Sequence, residues 1–117
     1  MGEVFLARQE GPAGFSKMVV VKRVIRRLVA DPAIVEMFLD EARIAAQLTH
    51  PNIVQIFDLG SDGQQYWIAM EYAHGRSLAE VLRALHERRQ TPPPALVAWL
   101  CAQALRGLHY ALSLIHI

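Results

Sequence analysis

"MVVVKRVIRR", residues 18–27, is the stretch on which the reading of this chain turns. Four apolar residues precede Lys22, and Val24 and Ile25 follow the basic pair, so the stretch reads as a β-strand with a charge in its middle. A strand this apolar is covered on at least one face. A covered ammonium is costly unless an anion faces it. Alternation groups Lys22 with Met18, Val20 and Val24, and Arg23 with Val19, Val21 and Ile25. It leaves open which of the two basic residues points inward.

The flanking sequence supplies the rest of a small α+β fold. "EVFLAR" (3–8) reads as a strand, and "QEGPAGFSK" (9–17) as a turn that makes it a hairpin partner of 18–25. Asp31-Pro32 opens a helix running to about Leu48, with Asp31 as N-cap and Pro32 at the first helical position. "HPN" (50–52) stops it. "IVQIFDLG" (53–60) and "QQYWIAMEY" (64–72) read as two further strands around the turn "SDG" (61–63). Gly75 breaks the chain. Ser77, with Glu80 three residues on, has the pattern of a capping box for a helix to about Arg89. "TPPPA" (91–95) punctuates, and a last helix runs from Ala95 to about Leu112. Strands with one inserted helix, followed by helices alone, give an α+β class.

The helix at 32–48 has a telling face. Ile34, Phe38, Ala45 and Leu48 recur at helical spacing, and Glu41 falls on the same stripe. Glu36, Asp40, Arg43 and Gln47 line up as a separate polar face. Glu41 is thus the one carboxylate on the apolar side and needs a cation, and Lys22 is the odd cation in the preceding strand. The competing reading sets Glu41 at the stripe's edge in water and lets Lys22 snorkel out of the sheet.

Composition bounds the function. The chain has 117 residues, enough for one domain but not two, with 53% hydrophobic and 20% charged residues, which suits a folded chain and argues against disorder. A net charge of +1 argues against nucleic acid or an anionic membrane as partner. The basic run Lys22, Arg23, Arg26, Arg27 reads as a solvated strand end. The lone Cys101 fits a reducing, cytoplasmic setting and, in its apolar stretch, is expected as inert core. The histidines at 50, 74, 86, 109 and 116 lack metal-ligand spacing. Ala95–Ile117 is apolar, but Gln103, Arg106, Gly107 and His109 interrupt it, so it reads as a buried helix and not a membrane span.

"GEVFLA" (2–7), "VVVKRV" (19–24), "EARIAAQLTHPNIVQIFDLG" (41–60), "YWIAMEYAHGRSL" (66–78) and "LRGLHYA" (105–111) together resemble, in that order, the small lobe of a protein kinase and the start of its large lobe. The style is similar to the bacterial eukaryotic-like serine/threonine kinases. The nineteen positions from Lys22 to Glu41 match the family's spacing. The resemblance implies ATP with Mg²⁺ as cofactors and protein Ser/Thr as substrate. It implies that Lys22 contacts the α- and β-phosphates and Glu41 holds Lys22. Gly2 matches the last glycine of the phosphate-covering loop, and Val4 and Val20 the apolar contacts on the adenine. Val20 stands where the family usually has alanine. Met70 matches the residue guarding the back of the pocket, and Glu71 and Ala73 the hinge whose backbone bonds the adenine edge.

By the same resemblance, 1–75 is an N-terminal lobe with its hinge at about 71–75, and 76–112 begins the larger lobe. The tail 113–117 fits no part of the family pattern. Only one of the loop's three glycines is here, which implies that the chain starts within that loop. The 117 residues hold no HRD catalytic loop, no Mg-binding asparagine and no DFG, hence no catalytic base and no metal ligands, so this segment alone is expected to be inactive. The alternatives are a pseudokinase or nucleotide-binding regulatory module, and an unrelated α+β interaction domain.

Overall fold

The computed structural model describes residues 2–24, 31–62 and 65–115. The expected strand end at Ile25, the Arg26–Arg27 part of the basic run, Gly63 of the turn, Gln64 at the start of the fourth strand, and the tail residues His116 and Ile117 lie outside the described residues.

The chain divides into two compact units, one ending at Tyr72 and one starting at Ala73. The first unit holds β1 (Gly2–Glu10), β2 (Ser16–Val24), α1 (Pro32–Ala46), β3 (Ile56–Ser61) and β4 (Tyr66–Glu71). The strands form one antiparallel sheet in the order β1-β2-β4-β3. The β1–β2 turn is closed by the Gly11 N–H donating to the Phe15 carbonyl at 2.9 Å, with a short 3₁₀ turn at Pro12–Gly14 between.

Asp31 caps α1 as expected, its carboxylate accepting from the Ala33 N–H at 3.0 Å. Phe38 and Ala42 are the buried residues of this helix, and with Val24 and Ile68 they make the core. Leu39, Ile56, Tyr66 and Met70 pack around it. The face reading placed Phe38 correctly and overlooked Ala42, four residues on and small enough to lie flat against the sheet. Glu36, Asp40 and Arg43 do form the outer polar face: Arg43 Nη1 reaches Asp40 at 2.8 Å and Glu36 at 3.8 Å.

The third strand begins three residues later than its apolar run suggests. The turn at Pro51-Asn52 commits the Ile53 N–H to the His50 carbonyl at 3.1 Å, so pairing starts only at Ile56. A bulge then follows between Ile56 and Asp58. At Gly60 the chain needs glycine for space: a Cβ there would lie 2.0 Å from Trp67 Cζ2 of the paired strand.

The second unit holds α2 (Leu78–Glu87) and α3 (Pro94–Ile115). Ser77 caps α2, accepting from the Glu80 N–H at 3.2 Å while its hydroxyl meets the Glu80 carboxylate. The helix ends on Arg89 in the left-handed region (φ 53°), where the Gln90 N–H donates back to the Leu85 carbonyl at 2.9 Å. The two helices face each other through Leu78, Val81, Leu82 and Leu85 on one side and Leu96, Val97 and Leu100 on the other. Cys101 is exposed and not core. The helix that carries it is apolar on more faces than α2 covers: Trp99, Leu105 and Leu108 are more than half exposed. No helix among the described residues is long and apolar enough to cross a membrane.

Candidate nucleotide-binding site

Cross-strand partners in an antiparallel pair point to the same face. In this sheet Val4 lies opposite Lys22, which lies opposite Ile68, and Leu6 lies opposite Val20, which lies opposite Met70. Val4, Leu6, Val20, Lys22, Ile68 and Met70 therefore share one face, the face that α1 covers at its Val24–Ile68 end. Gly2 stands opposite Val24 at the start of β1. Val4 and Leu6 are 64% and 57% exposed, so the apolar strip beside Lys22 is open to a ligand.

This arrangement answers the question that alternation left open. Lys22, half-buried, turns toward α1. Arg23 turns to the opposite face, where its Nη2 donates to the Glu3 carboxylate and its guanidinium lies 4.8 Å from the Phe5 ring centroid. One strand thus sends two adjacent cations to two different places.

Lys22 and Glu41 line one small cavity of about 20 Å³ together with Val24, Ile34 and Phe38. That is room for about one water molecule. Of the α1 carboxylates it is Glu41 that borders this cavity, while Glu36 and Asp40 engage Arg43. Lys22 and Glu41 share this cavity without forming an ion pair: the pairs among the described residues are Arg23–Glu3, Arg43–Glu36, Arg43–Asp40 and Arg76–Glu80. Glu41 is exposed and Lys22 half-buried, and both border this cavity.

Met70 is half-buried and packs against the core behind the strip. Glu71 closes β4, and its N–H donates to the Gln55 carbonyl at 2.8 Å. Ala73 belongs to the second unit, so the sheet does not position it. Leu6 was not singled out in the sequence, although alternation from Val4 carries it to the same open face. Ile68, directly opposite Lys22 on the same face and buried, is a further residue of this strip.

A half-buried ammonium beside a glycine-led strand and an open apolar strip suits a ligand with an anionic tail and a flat apolar head. A donor set for a divalent cation is a different matter: no cluster of three His, Cys, Asp or Glu stands among the described residues.

Comparison with known proteins identifies the family. The model of the protein kinase domain family matches residues 1–116. The chain is similar to the tyrosine-protein kinase MasK of Myxococcus xanthus, 46% identical over 95% of this chain and 17% of that protein. It is also similar to the serine/threonine-protein kinase PknD of Chlamydia muridarum, 36% identical over 75% of this chain and 9% of that protein. Among solved structures, the PknI kinase domain of Mycobacterium tuberculosis superposes with a TM-score of 0.72 at 29% identity, covering 95% of this chain and 43% of that one. The chain therefore spans less than half of the kinase domain, and under a fifth of the curated relatives, that it matches. An antiparallel four-stranded sheet with one helix packed on it is the small-lobe fold of that family, and this chain belongs to the protein kinases, of the Hanks type found in bacteria.

Proposed function

We infer that this chain supplies the ATP-holding part of a protein kinase that transfers the γ-phosphate to serine or threonine of a protein. The observation that carries the reading is the cavity shared by Lys22 and Glu41 beneath α1. In this reading Lys22 meets the α- and β-phosphates as a compact charge, and Glu41 holds it once the pair closes. Lys22 and Glu41 border the same small cavity, and an inward shift of α1 would bring the pair together. Gly2 lets backbone N–H groups approach phosphate oxygen. Val4, Val20 and Leu6 contact the adenine, Met70 closes the rear, and the backbones of Glu71 and Ala73 bond its edge. ATP bound here, with Mg²⁺, supplies the transferable phosphoryl group; the metal's ligands and the catalytic base are not in these 117 residues, so the segment alone is inactive.

The test uses the intact kinase carrying this segment. Lys22→Met keeps the stem's volume and removes the charge, so phosphotransfer should fall at least a hundredfold with the circular dichroism spectrum unchanged. Activity near that of the parent would refute the assigned role. The name of the 46%-identical relative favours a second acceptor, tyrosine. Phospho-amino-acid analysis separates the two, with phosphoserine and phosphothreonine expected.

A further inference from the structure

The turn between α2 and α3 fixes how the two helices meet. Arg89, in the left-handed region at φ 53°, takes the chain out of α2, and the Gln90 N–H ties the turn back to the Leu85 carbonyl at 2.9 Å. Pro92 and Pro93 stiffen the next step. The Pro93 carbonyl then accepts the Leu96 and Val97 N–H groups at 3.0 and 3.2 Å as α3 begins. The spacing of the helices near the turn is thus set by backbone bonds as well as by packing.

The side chains leave that spacing unfilled. A cavity of about 120 Å³ lies between α2 and α3. Val97 and Cys101, one helical turn apart on α3, line it with short side chains where a leucine would take up the room. Leu85, Pro92 and Leu100 in its lining are half-buried, whereas Leu82 and Val97 are 44% and 42% exposed, so the cavity is open to solvent. Among the described residues, no side chain with a charge, an amide or a hydroxyl lines it. Water inside finds no side-chain partner on the walls beyond the weak Cys101 thiol. An apolar molecule loses nothing on entering and covers leucine and valine surface that is otherwise wet. An apolar cavity of about 150 Å³ in a protein interior takes up benzene or xenon, and this one is close to that size.

We propose that the cavity between α2 and α3 is a binding site for a small uncharged apolar molecule, the size of a single hydrocarbon ring. It lies within the second unit and does not depend on the nucleotide reading. The lining offers no partner for a carboxylate or an ammonium, which excludes charged ligands. The volume excludes drug-sized ones, whose pockets run to about 300 Å³ or more.

Benzene is the probe, added to the full 117-residue chain with isotope-labelled leucine and valine methyl groups. Saturable shifts are expected at Leu85, Val97 and Leu100. Leu105 and Leu108, exposed on the same helix outside the cavity lining, are the controls and should not move. Shifts that fail to saturate, or that are as large at the controls, overturn the proposal in favour of general adsorption. Benzoate, the same ring with a charge, should leave the lining methyls unmoved, and binding equal to that of benzene overturns it. Shifts of the lining methyls on raising the protein concentration alone would give the cavity to a second copy and overturn it as well. Cys101→Leu fills the space and should weaken benzene binding by about tenfold or more while raising Tm. Val97→Leu is a second filling variant, and Cys101→Ala, which enlarges the cavity, should keep the ligand. Benzene bound as tightly by both filling variants as by the parent overturns the proposal.

Discussion

Gly60→Ala probes the tightest contact in the sheet. Gly60 lies directly opposite Trp67, and a Cβ at residue 60 would sit 2.0, 2.2 and 2.7 Å from three atoms of the indole ring. The ring is half-buried and also lines a shallow groove with Phe5, Ala7, Val21 and Arg23, so it cannot retreat without losing those neighbours. Displacing it re-exposes roughly 80–100 Å² of apolar surface, which costs about 2 kcal/mol. Alanine returns about 0.5–1 kcal/mol by restricting the unfolded backbone. The net loss is about 1–2 kcal/mol, a Tm lowered by about 4–8 °C in a chain of this size. Thermal melts followed by circular dichroism measure it, with Trp67→Ala as the second background. Removing the ring removes the clash, so Gly60→Ala should then be neutral or slightly stabilising. An equal penalty in both backgrounds, or a Gly60→Ala variant as stable as the parent, would refute the argument.

Asp31→Ala removes the acceptor for the Ala33 N–H and should lower the stability of the first unit by about 1 kcal/mol in urea titration. Arg89→Gly places the residue suited to φ 53° after α2 and should raise thermal stability by up to about 1 kcal/mol, whereas Arg89→Val should lower it. The isolated 117-residue chain should bind Mg-ATP more weakly than about 100 µM by calorimetry, because no metal-holding cluster stands among the described residues and Lys22 offers one charge-assisted contact; micromolar binding would overturn this.

The parts of the fold legible in the sequence are those set by local chemistry. Asp31-Pro32 and Ser77 with Glu80 are caps whose partners lie within three residues, and both act as read. The β1–β2 hairpin follows from alternation around a glycine turn. Strand β3 starts later than its apolar run because a turn bond to the His50 carbonyl delays pairing, and an apolar run does not show such a bond. Cys101 is exposed although its surroundings are apolar, because helix α3 is apolar nearly all round and apolarity alone does not say which face a neighbour covers. At the site, the odd charges Lys22 and Glu41 stood out against apolar stripes. The choice between Lys22 and Arg23 needed the sheet, since both faces of β2 are apolar. Nothing in the sequence signals that the Glu71 side chain accepts from the Gln55 amide, which is a matter of one rotamer at a strand end.

The Arg23–Glu3 pair over Phe5 has a bearing on errors of assembly. Lys22 and Arg23 are neighbours of like charge on a strand apolar on both sides, so hydrophobicity hardly penalises a slip of one residue against β1 or β4. A slipped strand would turn Arg23 toward α1 and Glu41, forming a plausible ion pair with the wrong cation. It would also separate Arg23 from its directly opposed partner, Glu3, and from the ring beneath it. An exposed pair of this kind adds little to stability in the correct alignment, at most about 1 kcal/mol. Its value is discrimination: it exists in one alignment of the hairpin and is lost in the next, and so it proofreads which cation reaches the cleft.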